Sequence, residues 1–351
     1  MVQSLVLCSF LSLCSGLVAS DWTLVSPDSE SSLRGAGVTD TLICVAGSGP
    51  QVWVSKDAGG TWHDRTPEIP GVSDYRCVEV VANPSSDENV LLIASAGTPA
   101  VILRSEDAGE TWKTVYENQK PAAFLDSLRF WDADHGIAFG DPIDGRFLLL
   151  KTRDGGKSWQ DLACPIDPLE GEAGFAASNG SISLAGTNTV LIGLGGRIDQ
   201  GPSRMLRSTD QGNHWDVIEL AKIPAGPSSG IFAVSLRADG FGIAVGGDYK
   251  RPEDSGGNIA VTEDGGQTWR SVTGQGPRGY RSSVIRFQSK DGEGQTTDVW
   301  MTTGPSGSEV SVDGEDWQPY RKSGFHALRR IMTGVLACGS DGRVALTKAA
   351  Q

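Results

Sequence analysis

The chain has 351 residues, 46 of them glycine and 17 proline, and a formal net charge of −13. That acid excess excludes a nucleic-acid binder or a basic membrane-surface protein, because phosphate contacts need clustered Lys and Arg. The turn-rich usage, with no helical periodicity of any length, suits many short strands within one large all-β domain.

Residues 1–20, MVQSLVLCSFLSLCSGLVAS, are apolar, lack any acid and end in Val18-Ala19-Ser20, a small-residue cleavage site. They read as a secretory signal peptide, leaving residues 21–351 as the mature domain. No later segment approaches the ~20 apolar residues of a membrane span. An exported monomer, periplasmic or extracellular, is therefore expected. Cys44, Cys77, Cys164 and Cys338 remain after cleavage. They lack metal-ligand spacing and sit in or beside expected strands, which favours buried free thiols over disulfides.

One octapeptide recurs down the mature chain: Ser or Thr, any residue, Asp, any residue, Gly, two more, Trp. It stands as SKDAGGTW, SEDAGETW, TRDGGKSW, STDQGNHW and TEDGGQTW, with a shortened sixth copy, SVDGEDW. The tryptophans at 62, 112, 159, 215, 269 and 317 step by 50, 47, 56, 54 and 48 residues. That period corresponds to about one four-stranded propeller blade per copy. The pattern is a folding device, in which Asp accepts backbone N–H bonds within a turn, Gly supplies positive φ and Trp opens the next strand. These octapeptides resemble Asp-boxes, the mark of BNR-repeat propellers found in sialidases, xyloglucanases, sortilin-type receptors and photosystem II stability/assembly factors. That resemblance implies a fold and is almost silent on function.

In chain order, blade one is expected around residues 32–66, then blades two to six at 75–117, 124–162, 174–220, 231–272 and 281–320. After Trp317 only three strands remain: FHALRRI, GVLACGS and RVALTK. The missing one is Asp21-Trp22-Thr23-Leu24-Val25, which matches the post-Trp strands WHDRT, WKTVY and WDVIE. The expected fold is thus an all-β, seven-bladed propeller of four-stranded antiparallel blades, the last closed by the N-terminal strand. Such closure removes free sheet edges.

The approaches to strand one and the turns between strands two and three should share one face, opposite the Asp-boxes. The turns GLGGRIDQGPSR and GGDYKRPEDSGG are longer than a hairpin needs, and long polar loops on a rigid scaffold concentrate binding residues. This face would gather Arg76, Arg146, Arg197, Tyr280 and Arg281 with Asp126, Asp141, Glu172 and Asp248; Arg34 and His326 also lie at approaches to strand one. Guanidinium forks beside carboxylates suit recognition of a carboxylate or a carbohydrate. The competing reading is that these residues pair with one another as inter-blade salt bridges.

The segments FLDSLRFWDADHGIAFGDPIDGRF, GEAGFAASNGS, SSGIF, GGDY, GYRSSV and GPSGSE, in that order, resemble bacterial photosystem II stability/assembly factor-like proteins, some labelled oxidoreductase or glycosyl hydrolase. The resemblance spans essentially the whole mature chain. It implies a seven-bladed propeller and, for the plant and cyanobacterial members, a non-enzymatic assembly chaperone. Those members carry an arginine-rich patch, whereas this chain is strongly acidic.

A sialidase would draw its arginine triad from Arg76, Arg281 and Arg34 or Arg146, with Tyr280, Glu172 and Asp141; the family's Arg-Ile-Pro motif is replaced by Ser32-Leu33-Arg34-Gly35. An inverting hydrolase would need two carboxylates across a groove. Asp141 and Asp248 are the best pair for it, although an Asp after Gly often caps its own turn. GQGPRG at 274–279 formally matches a dinucleotide fingerprint, but Pro277 interrupts it and a strand follows where a helix is required. Four scattered histidines offer no zinc site, the loop DGEGQTTD lacks calcium-ligand spacing, and no cofactor is expected. A binding or assembly scaffold with a protein partner leads, with a glycoside hydrolase or a non-catalytic glycan binder as alternatives.

Overall fold

A computed structural model describes residues 21–39, 41–82, 89–290, 295–332 and 334–348. The proposed signal peptide and residues 291–294 of the DGEGQTTD loop lie outside these. The strands form seven antiparallel sheets in chain order. They span residues 33–64, 75–118, 125–161, 182–224, 229–262, 283–321 and 327–348, the last joined by Thr23–Leu24. Closure is made by the register Thr23↔Leu346 and Leu24↔Ala345. Trp22 anchors it, its ring meeting Tyr320 at 5.7 Å and Phe325 at 5.0 Å, both edge to face. No helix among the described residues is long and apolar enough to cross a membrane.

Blade five deviates in its outermost element, where the fourth strand shrinks to one bridge. Val261 and Arg270 exchange both backbone hydrogen bonds at 2.9 Å. The core lies between blades, as where Leu92 and Ile102 of blade two pack with Leu128 and Leu150 of blade three. Each sheet therefore buries both faces, and its strands read as apolar runs rather than clean alternation.

The repeated octapeptide closes on itself. In the second copy Ser105 Oγ donates to Asp107 Oδ1 at 2.7 Å, while the Gly109 and Thr111 N–H groups donate to Ser105 Oγ and Asp107 Oδ1 at 2.8 and 2.9 Å. Trp112 Nε1 then donates to the Arg65 carbonyl of the preceding blade at 2.8 Å. Each such turn spends its Asp on backbone amides, leaving little for chemistry, and in the first two copies the Trp also ties the turn to the preceding strand, Trp62 to the Val25 carbonyl and Trp112 to the Arg65 carbonyl.

Blade four begins at Ile182 rather than near Gly174. Residues 175–181 instead run into the central channel and plug it. Asn179, buried and at φ 55°, accepts from the Leu128 N–H (2.7 Å) and Ser127 Oγ (3.0 Å) of blade three and donates to the Val78 carbonyl (3.1 Å) of blade two. Ser178 Oγ donates to the Ser282 carbonyl at 2.7 Å, just before blade six. Short polar side chains that bond across the channel outcompete strand pairing for this segment.

Candidate functional site

The first strands of four blades share a fault in their pairing. The register of strand one against strand two skips a residue between Leu33 and Gly35, Tyr75 and Cys77, Leu125 and Ser127, and Ile231 and Ala233. The extra residues are Arg34, Arg76, Asp126 and Phe232. A β-bulge leaves one residue unpaired and re-aims its side chain. All four side chains line one cavity of 450 Å³ at the channel mouth, above the plug.

One wall is aromatic. Phe175 of the plug stacks on Phe232 with ring centroids 3.9 Å apart and planes 8° from parallel. Tyr249, 46% exposed at the rim, meets both rings edge on at 6.4 and 6.3 Å, and Tyr280 meets Phe232 at 4.6 Å. Burial raises the Tyr280 phenol well above its ordinary value, so it stays neutral.

The opposite wall is charged. Arg76 Nε donates to Asp74 Oδ2 at 2.7 Å, and its Nη1 reaches the Ala176 carbonyl of the plug at 3.5 Å. Arg34 has no hydrogen-bond or ion-pair partner among the described residues; burial and the neighbouring Arg76 charge push its guanidinium below the ordinary range. Asp126 is 1% exposed, and its carboxyl is raised well above the usual carboxylate range by burial and then by the Asp141 charge beside it. Burial also raises Asp141, although the Gly174 N–H donates to its Oδ1 at 3.1 Å. Two adjacent carboxyls cannot both ionise in such a place, so this pair holds a proton. Asp126 Oδ2 remains without a hydrogen-bond partner. The His326 ring at the cavity edge bonds to Ser32 Oγ and Ser340 Oγ at 3.2 and 3.0 Å, and burial beside Arg34 holds it neutral, with its pKa down to about 3.

Of the residues expected on this face, the structure brings Arg76, Asp126, Asp141 and Tyr280 to one cavity. The others lie elsewhere. Arg281 is 1% exposed and is held by Glu309 Oε2 at 2.9 Å, Ser306 Oγ at 3.0 Å and the Tyr280 carbonyl at 3.0 Å. Glu172 is buried against Arg204, whose Nε donates to it at 2.8 Å. Arg197 closes its own turn on Asp199 at 2.7 Å. Asp248 caps its turn through the Lys250 N–H at 2.9 Å and pairs with Arg251 at 3.0 Å. Arg146 lies along an open 830 Å³ groove beside Lys120, Asp144 and Asp167 at the edge of blade three. Asp141 and Asp248 thus do not share a cavity.

Phe175, Phe232 and Tyr249 lie in segments that carry the family resemblance, yet no local pattern marks them as site residues. Phe232 is the fourth residue of strand one of blade five, and Tyr249 is the first residue past the end of strand two. Among the described residues the four cysteine thiols are free, with Cys44, Cys77 and Cys338 buried. Among the described residues no three His, Cys, Asp or Glu side chains gather to hold a metal ion.

Residues 118–275 match the family model described as photosynthesis system II assembly factor YCF48. Photosystem II assembly lipoprotein Ycf48 of Synechococcus sp. (strain CC9902) is 22% identical over 296 residues, covering 76% of this chain and 84% of that protein. A solved structure of YCF48 bound to D1 peptide superposes with a TM-score of 0.60 at 15% identity, covering 95% of this chain and 97% of that one. YCF48 from Cyanidioschyzon merolae superposes at 0.62 and 14% identity, covering 94% and 99%. The seven closed blades and these matches agree: the chain is a seven-bladed antiparallel propeller that resembles the photosystem II assembly factor family.

Proposed function

We propose that this chain is an exported, non-catalytic binding propeller, an assembly scaffold that docks a segment of a partner protein at the channel mouth. The observation that carries this reading is the bulge-built cavity, with Arg34, which has no partner among the described residues, on one wall and an exposed Tyr249 on the other. Rigid blades hold these side chains in place before a ligand arrives, which limits the ordering entropy that binding must offset. A relative known as an assembly lipoprotein and a fold neighbour bound to a peptide support the same class of task. Hydrolysis has less support, since Asp141 and Asp248 lie apart and Glu172 is consumed by Arg204.

The test places a photo-crosslinking residue at 249 in cells and identifies what it captures. One defined protein, lost when Arg34 is changed to Glu, is expected. Capture that ignores Arg34→Glu, or no defined partner, would sink the proposal.

A further inference from the structure

Two groups in the cavity are left with unmet bonding capacity, and they have opposite needs. The Arg34 guanidinium lines the cavity with no hydrogen-bond or ion-pair partner among the described residues, Asp74 being bonded instead to Arg76. Asp126 Oδ2, buried with under 1 Å² exposed, has no hydrogen-bond partner. Leaving a buried polar atom without a partner is unfavourable, so a ligand that supplies the partner recovers that loss.

The charge balance narrows the choice. Arg34 and Arg76 contribute two cations; Asp74 and the proton-sharing Asp126–Asp141 pair contribute two anions. The cavity is therefore near neutral with its poles on separate residues. A simple anion would satisfy Arg34 and leave Asp126 worse off, whereas a zwitterion satisfies both and preserves the balance. The stacked Phe175–Phe232 wall, with Tyr249 standing over it, offers a flat apolar surface beside those poles. A volume of 450 Å³ falls within the usual range for small-molecule sites.

We propose that the channel-mouth cavity binds a free α-amino acid with an aromatic side chain, its carboxylate on Arg34, its ammonium on Asp126 and its ring against the Phe175–Phe232–Tyr249 wall. This rests on the cavity being the binding site, and it makes the amino acid a competitor of any docked partner segment.

Isothermal titration calorimetry with L-phenylalanine, N-acetyl-L-phenylalanine and L-phenylalaninamide tests it on the full chain. L-phenylalanine should give saturable heat, and each blocked derivative should bind at least about tenfold more weakly, the effect of one lost charge-assisted bond. Arg34→Met and Asp126→Asn should each lose about tenfold on the same ground. Tyr249→Ala, at an exposed position, should weaken binding while leaving the melting midpoint in place. No heat from L-phenylalanine, or equal binding of the N-acetyl derivative, overturns the proposal. If the partner crosslink at 249 persists while L-phenylalanine fails, only this inference falls; if both fail, the cavity reading falls with it.

Discussion

Arg329 of blade seven donates across the channel to the Ser178 carbonyl of the plug at 3.1 Å, while its Nε and Nη1 hold the carbonyls of Ala36 and Leu328 at 2.6 and 2.7 Å. One guanidinium thereby ties blade one, blade seven and the plug. Burial, and then repulsion from Arg129, lowers its pKa to about 9, which leaves it cationic at neutral pH. Replacing Arg329 with Met strands these carbonyls and should cost about 3 kcal/mol, read as a lower urea midpoint. Lys in its place should not restore the loss, because a point charge cannot serve three separated acceptors. A midpoint unchanged in Arg329→Met would show that the plug stands without it.

Arg281 and Glu309 form a buried pair at 2.9 Å, with side chains 2% and 5% exposed. Removing either partner alone leaves an unmatched charge in the core, at a cost of about 3–5 kcal/mol. The double change Arg281→Met with Glu309→Leu should recover most of that. A double-mutant cycle by denaturant unfolding gives the coupling, and additive losses would refute it.

Blade count and closure were legible because the octapeptide is a local device: its Ser, Asp and Gly bond within eight residues, so pattern implies geometry. The matching of Trp22 to the post-Trp strands rests on the same periodicity. The cavity was only half legible. Arg34 and Arg281 are both arginines at an approach to strand one, yet Arg281 finds Glu309 and Arg34 finds no ion-pair partner among the described residues, a difference made by strands remote in sequence. The bulges are a property of pairing between two strands and leave no mark on either alone. The plug segment FAASNGS looks like a strand start until Asn179 meets blades two and three.

Gly140 shows how the bulges are accommodated. A Cβ there would lie 1.9 Å from the Phe124 carbonyl oxygen, beneath the bulge that presents Asp126; Gly246 stands in the same relation to the Gly230 carbonyl, also at 1.9 Å. Backbone cannot yield as a flexible side chain does, so Gly140→Ala should cost about 2 kcal/mol or more. It should also misdirect Asp126. Thermal unfolding and the crosslink at 249 measure the two effects, and an alanine variant unchanged in both would mean that the bulge absorbs the methyl group.

The octapeptide turns should make the fold acid-sensitive in a defined window. The Thr61 N–H, with the Ser55 and Thr61 hydroxyls, lowers the Asp57 carboxyl to about 2; at Asp264 burial opposes the shift, but bonds from Thr268 and Thr262 outweigh it and also give about 2. Folded values below the unfolded 3.8 mean that this stabilisation is present above about pH 4 and lost as pH falls toward 2. His326 acts at a higher pH. Its folded value of about 3 lies below 6.5, so the unfolded chain gains the proton first and stability declines as pH drops through that interval. Melting midpoints should therefore fall in two stages between neutral pH and about 2. The upper stage should flatten in His326→Gln and the lower in the double variant Asp57→Asn with Asp264→Asn, the latter also less stable at neutral pH. Acid slopes identical to wild type in these variants would assign the pH dependence to other carboxylates.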